Sequence, residues 1–244
     1  MTTCFVTVGM SLLTSSRCWN GLEAIDAFSA SELRQPEAIA EHLERLMKAE
    51  QTRWDILGQL TDQDSFPTQA NRVVHSHADR IRSCWTSRRP YLLPAELATL
   101  FKIRRSIQTG DRIVVLCGTG ENLKVGFLLA SMAKLIFTQA LIEVMGGYQW
   151  DPVNDTNFSI GITSLWRDLT QRMRQLEAPL VFVFTGGYKV LLTELTARIV
   201  AEPINATLYY LNEDVSEDVI TTRIVTAGER TDVRSVHFTD QGTD

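Results

Sequence analysis

Residues 180–189 read Leu-Val-Phe-Val-Phe-Thr-Gly-Gly-Tyr-Lys. The stretch opens on an unbroken apolar run, which predicts a strand buried on both faces, as in a parallel sheet. The predicted strand ends at Phe184, and Thr185 and the glycines that follow predict a turn into a helix. In open parallel sheets, ligands bind beyond the carboxyl ends of strands, where helix N-termini expose unpaired N–H groups. This stretch therefore indicates both a Rossmann-like sheet and an anion-binding turn.

Similar apolar runs recur along the chain, and each is bounded by turn residues. They cover residues 4–8, 112–117, 141–145 and 207–211. Segments with helical apolar spacing lie between these runs, so strands and helices alternate. This alternation predicts an α/β fold with a Rossmann-like, mostly parallel sheet and helices on both faces. Two alternating runs at residues 220–225 and 233–238 predict a C-terminal hairpin.

A long connection separates the first two strands. Roughly a hundred residues lie between them, and structureless loops of that length are rare in compact domains. Helical apolar spacing predicts one helix over residues 36–60 and another over residues 94–107. For residues 61–94 we expect one helix with loops. We therefore expect a single domain over residues 1–244, with a helical elaboration at about 30–108.

The composition is that of a protein able to bury a full core. The chain has 244 residues, of which 44% are hydrophobic and 22% charged, so it needs no disulfide or metal for stability. Its first residues carry no basic region typical of a signal peptide, and its longest apolar stretch, residues 125–142, is interrupted by Lys134. The four cysteines form no C-x-x-C pair, which favours reduced thiols over a metal site. We expect a cytoplasmic protein that makes no contact with a membrane.

The charge is distributed unevenly along the sequence. The net charge of −5 argues against binding to duplex DNA. Residues 72–105, however, contain eight basic and two acidic residues, a balance of +6 that leaves −11 for the rest. This segment forms either solvated helix faces or a basic rim that faces an anionic ligand.

Three of the predicted strands end in small and polar residues. Glycine allows a ligand to approach the backbone closely, and Ser and Thr add hydroxyl groups at the same place. The candidate ligand-binding residues are Gly9, Met10, Ser11 and Thr14 after the first strand, Gly118, Thr119 and Gly120 after the second, and Thr185, Gly186, Gly187 and Tyr188 after the strand at 180–184.

The familiar nucleotide-binding motifs are not present at these turns. Leu123 stands where the dinucleotide fingerprint requires a third glycine, and the chain has no G-K-[ST] of a P-loop. We therefore expect no bound cofactor. Lys189, which follows the Gly-Gly pair at the start of a predicted helix, adds a cation where N–H groups already point at an anion.

Two motifs resemble a known family. The segment V-T-V-G-M-S-L-L-T at residues 6–14 and the segment F-V-F-T-G-G-Y-K at 182–189, followed by a strand at 206–211, resemble the CARF domains of type III CRISPR systems. Those domains are Rossmann-like sensors of cyclic oligoadenylates. A CARF domain without a fused effector is similar to the ring nucleases of antiviral defence, which bind cyclic tetra-adenylate as homodimers and cleave it to switch off signalling. In that comparison, Ser11 and Lys189 fall on the catalytic positions.

The resemblance implies cleavage without a metal. A ribose 2′-hydroxyl can attack its own neighbouring phosphate when it is held in line with it, and this proximity can lower the activation barrier by roughly 7–11 kcal/mol. The product is a 2′,3′-cyclic phosphate. Lys189 would stabilise the developing negative charge, and Ser11 would fix the attacking hydroxyl or a phosphate oxygen. The sequence places no general base beside these motifs.

Three alternatives stay open at this point. A pure sensor would bind the ring in the same pocket without cutting it and pass a signal to a partner. An unrelated Rossmann-like enzyme would bind a nucleotide or sugar phosphate and would need no two-fold dimer. A HEPN-like ribonuclease would act through the pair Arg72 and His77, which match a loose Arg-x4-His pattern.

Overall fold

A computed structural model describes residues 2–9, 36–86, 94–103, 110–150, 155–176, 179–184, 189–202, 204–211, 218–224 and 232–237. Seven strands lie within these ranges: β1 (Thr3–Thr7), β2 (Arg112–Gly118), β3 (Leu141–Tyr148), β4 (Leu180–Val183), β5 (Ala206–Leu211), β6 (Asp218–Ile224) and β7 (Asp232–His237). The α-helices are α1 (Pro36–Gly58), α2 (Phe66–Ser76), α3 (Ala78–Thr86), α4 (Ala95–Ile103), α5 (Glu121–Ile136), α6 (Asp155–Met173) and α7 (Lys189–Ala201).

The strands form one sheet in the order β3-β2-β1-β4-β5-β6-β7. The first five strands in this order are parallel, whereas β6 pairs antiparallel with both β5 and β7. The predicted Rossmann-like α/β fold is therefore confirmed, and the terminal strands extend the sheet as a mixed edge. Strands β1 and β4 are neighbours in the sheet. After β1 the chain continues to β2 on one side of this pair, and after β4 it continues to β5 on the other side. The crevice between β1 and β4 is consequently the topological switch point, where open α/β sheets bind ligands.

Helices cover both faces of the sheet. On one face, α1 to α5 pack with Val6 and Val183 in one hydrophobic cluster. On the other face, α6 and α7 pack against Phe5 and Phe182, whose rings stack with centroids 5.1 Å apart. Because successive residues of β1 and β4 point to opposite clusters, both strands are buried on both faces, as their unbroken apolar runs predict.

The helical elaboration differs in one respect from the sequence prediction. The single helix expected within residues 61–94 is wrong, since a 3₁₀ turn at Gln63–Ser65 and two helices, α2 and α3, lie there. The break falls at His77, whose φ of −113° and ψ of 10° are not helical. The His77 ring nitrogen Nδ1 lies 3.0 Å from the carbonyl oxygen of Val73, so the side chain closes the end of α2.

The long apolar run at residues 125–142 is divided between two elements. Helix α5 ends at Ile136, and β3 begins at Leu141. Gly126 lets α5 approach the sheet closely, since a Cβ atom there would lie 2.5 Å from the Cys117 sulfur. Across the ranges described, no helix combines the length and the apolarity that a membrane span requires.

Candidate functional site

The candidate site begins where β1 and β4 end. Val6 pairs with Val183 in the parallel register, and the Thr7 hydroxyl donates a hydrogen bond of 3.3 Å to the carbonyl oxygen of Val183. The chain therefore brings together two segments that are 176 residues apart at this bond. Both are segments on which the family resemblance rests, and they leave the sheet side by side.

Several of the predicted site residues lie outside the described residues. These are Met10, Ser11, Thr14, Thr185, Gly186, Gly187 and Tyr188. Gly9 and Lys189 are described and flank them. Gly9 is buried two residues after β1, whereas Lys189 is exposed as the first residue of α7. The helix dipole disfavours a cation at this position unless an anion is near.

The two glycines of the turn after β2, Gly118 and Gly120, have different structural roles. Gly120 has a φ of +60° and stands at the N-cap of α5, a conformation that favours glycine. Thr119 and Gly120 are exposed. Gly118 is buried, and a Cβ atom there would lie 2.4 Å from the indole nitrogen of Trp150. Close packing beneath Trp150 thus accounts for glycine at position 118, and its predicted ligand contact stays a prediction.

Asn122 connects the ends of β1 and β2. Its side-chain oxygen Oδ1 accepts a hydrogen bond of 2.5 Å from the backbone N–H of Gly118. Its amide nitrogen Nδ2 donates one of 3.2 Å to the carbonyl oxygen of Val8. Asn122 was not among the predicted site residues, although an Asn in the first turn of a helix that follows a strand is well placed to bind free backbone groups.

Glu96 is a buried acid beneath the same strand end. Its oxygen Oε1 accepts a hydrogen bond of 2.7 Å from the backbone N–H of Gly9, and its side chain is fully buried. Among the described residues, the other oxygen, Oε2, has no hydrogen-bond partner. Burial raises the pKa of Glu96 to about 7, although the N–H groups of Gly9 and of Glu96 itself act in the opposite direction. From the sequence, Glu96 counted only as one of the two acids within residues 72–105, and no role in the site was predicted for it.

One ion pair and one side-chain to backbone hydrogen bond attach α1 to the N-terminal turn of α5. Arg53 contacts Glu50 at 2.9 Å and Glu121 at 3.1 Å. The Lys124 ammonium donates a hydrogen bond of 3.2 Å to the carbonyl oxygen of Leu57. The C-terminal part of α1 is therefore held beside the turn that follows β2.

A groove of about 580 Å³ lies between α6 and the edge strand β3, lined in part by Arg112, Tyr148, Asp168 and Arg172. The Tyr148 hydroxyl donates a hydrogen bond of 3.0 Å to Asp168, and burial together with Asp168 raises its pKa. Both arginines contact Glu143. These charges neutralise one another to a large extent, so the groove is less suited to an anion than the end of β1.

The residues of the ribonuclease alternative lie in the elaboration. Arg72 is exposed on α2, and the His77 ring lies 3.0 Å from the Val73 carbonyl. The hydrogen bond at the helix end gives His77 a structural role. Of the basic segment, Arg80 and Arg82 are exposed on α3, whereas residues 88, 89, 104 and 105 lie outside the described ranges.

The described cysteines are Cys4, Cys84 and Cys117, and all three are buried. Burial raises the pKa of the Cys117 thiol to about 12, so this thiol stays protonated and unreactive at neutral pH. Within the described ranges, no group of three or more His, Cys, Asp or Glu side chains is arranged to hold a metal ion. A comparison with known protein families and with curated proteins finds no match for this chain.

Proposed function

We propose that this chain is a ring nuclease of type III CRISPR antiviral defence that binds cyclic tetra-adenylate at the carboxyl ends of β1 and β4. The observation that carries the proposal is the parallel pairing of Val6 with Val183. This pairing brings the two CARF-like segments to one end of the sheet, at its topological switch point. Two motifs identified separately in the sequence thus converge where a Rossmann-like protein binds its ligand.

The chemistry of this end of the sheet suits a phosphate. Lys189 is exposed on the first turn of α7, where unpaired N–H groups and the helix dipole favour an anion. The turns after β1 and β4 contain glycine, serine and threonine. An ammonium group beside backbone donors binds phosphate through charge-assisted hydrogen bonds.

The proposed reaction needs few functional groups. A ribose 2′-oxygen attacks the adjacent phosphorus, the O2′–P bond forms, and the P–O5′ bond breaks. The products end in a 2′,3′-cyclic phosphate and a 5′-hydroxyl, with the 2′-hydroxyl proton passing to solvent and O5′ taking one from solvent. Lys189 stabilises the charge on the phosphoryl oxygens, and Ser11 orients the attacking hydroxyl.

A homodimer completes the proposed site. Cyclic tetra-adenylate has two-fold symmetry, so an isologous dimer offers it two identical half-sites. Each protomer then supplies one Lys189 and one Ser11 to the ring, with the two-fold axis over the carboxyl ends of the strands.

The decisive experiment is to incubate the purified chain with radiolabelled cyclic tetra-adenylate, with and without EDTA. We expect linear products ending in 2′,3′-cyclic phosphate at the same rate in both, and linear tetra-adenylate serves as a control for general ribonuclease activity. Tight binding without cleavage would leave the sensor as the function. Absence of both binding and cleavage would overturn the proposal, and cleavage of linear RNA that requires Arg72 and His77 would favour the ribonuclease.

A further inference from the structure

The peptide unit between Val8 and Gly9 is held at both of its polar groups by side chains. Its carbonyl oxygen accepts a hydrogen bond of 3.2 Å from Asn122 on α5. Its N–H group donates one of 2.7 Å to Glu96 on α4. This is the first peptide unit after β1, where bonding within the sheet stops, so two side chains replace the neighbouring strands as its partners.

Glu96 is an unexpected residue for this position. Its side chain is fully buried, and taking a carboxylate out of water is costly. The neighbouring residues of α4, from Leu97 to Leu100, are buried as well. An apolar side chain at position 96 would pack here but would remove the acceptor of the Gly9 N–H, and an unsatisfied buried donor is costly. The contribution of Glu96 at this position is therefore its hydrogen bond to the Gly9 N–H.

Asn122 adds a second constraint to the same place. Its side chain accepts a hydrogen bond from the N–H of Gly118 and donates one to the carbonyl oxygen of Val8, so it fixes the ends of β1 and β2 relative to each other. Glu96 lies in the helical elaboration, and Asn122 lies in the helix that follows β2. Two separate elements thus determine how the chain leaves β1.

We propose that Glu96 and Asn122 are positioning residues of the ligand site, which hold the Val8–Gly9 peptide plane and so fix how the chain leaves β1 at the end of the sheet where the ligand binds. This inference rests on the proposed function for its effect on ligand binding. Its structural part, the restraint on the Gly9 amide, applies to the protein without ligand. The two parts are measured separately.

The test compares amide hydrogen exchange at Gly9, measured by NMR, with the affinity for cyclic tetra-adenylate. Glu96→Ala removes the acceptor, and we expect at least tenfold faster exchange at Gly9 and at least tenfold weaker binding. Glu96→Gln keeps an acceptor oxygen of the same shape, so exchange and affinity should stay within about twofold of wild type. Thr99→Val is the matched control, because Thr99 is equally buried on α4 and its hydroxyl donates a hydrogen bond within its own helix, to the carbonyl oxygen of Ala95.

Asn122→Asp tests the other side of the peptide. The carboxylate keeps an acceptor for Gly118 but loses the donor to Val8, so we expect binding to weaken at least tenfold while Gly118 stays protected from exchange. Should Glu96→Ala unfold the protein, Asn122→Asp still tests the inference. Unchanged exchange at Gly9 in a folded Glu96→Ala protein would overturn the restraint, and unchanged affinity despite faster exchange would overturn the positioning role. A wild type that does not bind the ring would overturn the proposed function alone.

Discussion

The Thr7 hydroxyl lies 3.3 Å from the carbonyl oxygen of Val183 and bonds to it across the junction of β1 and β4. This junction is where the connections on the two sides of the sheet diverge, and open α/β sheets bind their ligands beyond such a junction. Gly9 lies two residues after β1, and Lys189 is the first residue of α7, the helix that follows β4.

Lys189→Ala should slow cleavage of cyclic tetra-adenylate at least tenfold, equivalent to about 1.4 kcal/mol of transition-state stabilisation. Lys189 is exposed, so its truncation removes no core volume and should leave the melting temperature unchanged. Single-turnover assays measure the rate. Lys134→Ala is the matched control, because Lys134 is also exposed on a helix but lies in the last turn of α5. Equal rates for the two variants would remove Lys189 from the mechanism.

The stability of the protein should depend on pH through Glu96. Its pKa rises from 4.5 in the unfolded chain to about 7 in the folded protein, so the folded state binds this proton more tightly. The resulting stabilisation is complete below pH 4.5 and is lost as the pH rises through 7. Because 1 pKa unit corresponds to about 1.4 kcal/mol, the loss is on the order of 3 kcal/mol.

Urea unfolding of wild type and Glu96→Gln at a series of pH values measures this effect. Glutamine does not titrate, so the difference in unfolding free energy between the two proteins isolates Glu96 from all other acids. We expect wild type to lose stability relative to Glu96→Gln between pH 4.5 and 7. A difference that does not change with pH would mean that Glu96 titrates normally.

The protein should form a homodimer whose mass is twice 27.5 kDa in sedimentation experiments. The two-fold symmetry of the proposed ligand requires two copies of the Lys189 turn, and the ring should strengthen the dimer by bridging both half-sites. The measurement is repeated with cyclic tetra-adenylate and with AMP as a ligand without ring symmetry. A monomer under all three conditions would contradict the proposed arrangement of the site.

Much of the fold could be predicted because buried parallel strands have a strong sequence pattern. The apolar runs of β1 and β4 mark strands covered on both faces. The order of the strands could not be predicted in the same way, since pairing between Val6 and Val183 depends on crossovers over long distances in sequence. The break at His77 was missed because local hydrogen bonds from His77 to the carbonyl oxygens of Val73 and Val74 mark the end of α2, and apolar spacing does not reveal such bonds.

The candidate site was predictable only in part. Glycines and Lys189 after strands follow a general rule about where open sheets bind ligands. Glu96 and Asn122 follow no such rule, because their roles come from partners far along the chain, Gly9 and Val8. Glu96 also lies in a predominantly basic segment. An acid in such a segment is interpreted from the sequence as a surface charge, and its burial is visible only in the folded structure.

Gly118→Ala should destabilise the protein even without ligand. The new Cβ atom would lie 2.4 Å from the Trp150 indole nitrogen, and Trp150 is buried and stacked on Tyr148 with centroids 5.9 Å apart. The indole cannot move without disturbing this packing, so we expect a loss of about 1–3 kcal/mol in unfolding free energy. Gly58→Ala is the control, because nothing lies within 4 Å of its Cβ position, and it should change stability by less than about 0.5 kcal/mol. Equal stabilities for the two variants would show that Trp150 does not confine Gly118, and the glycine would then have to be explained by the ligand.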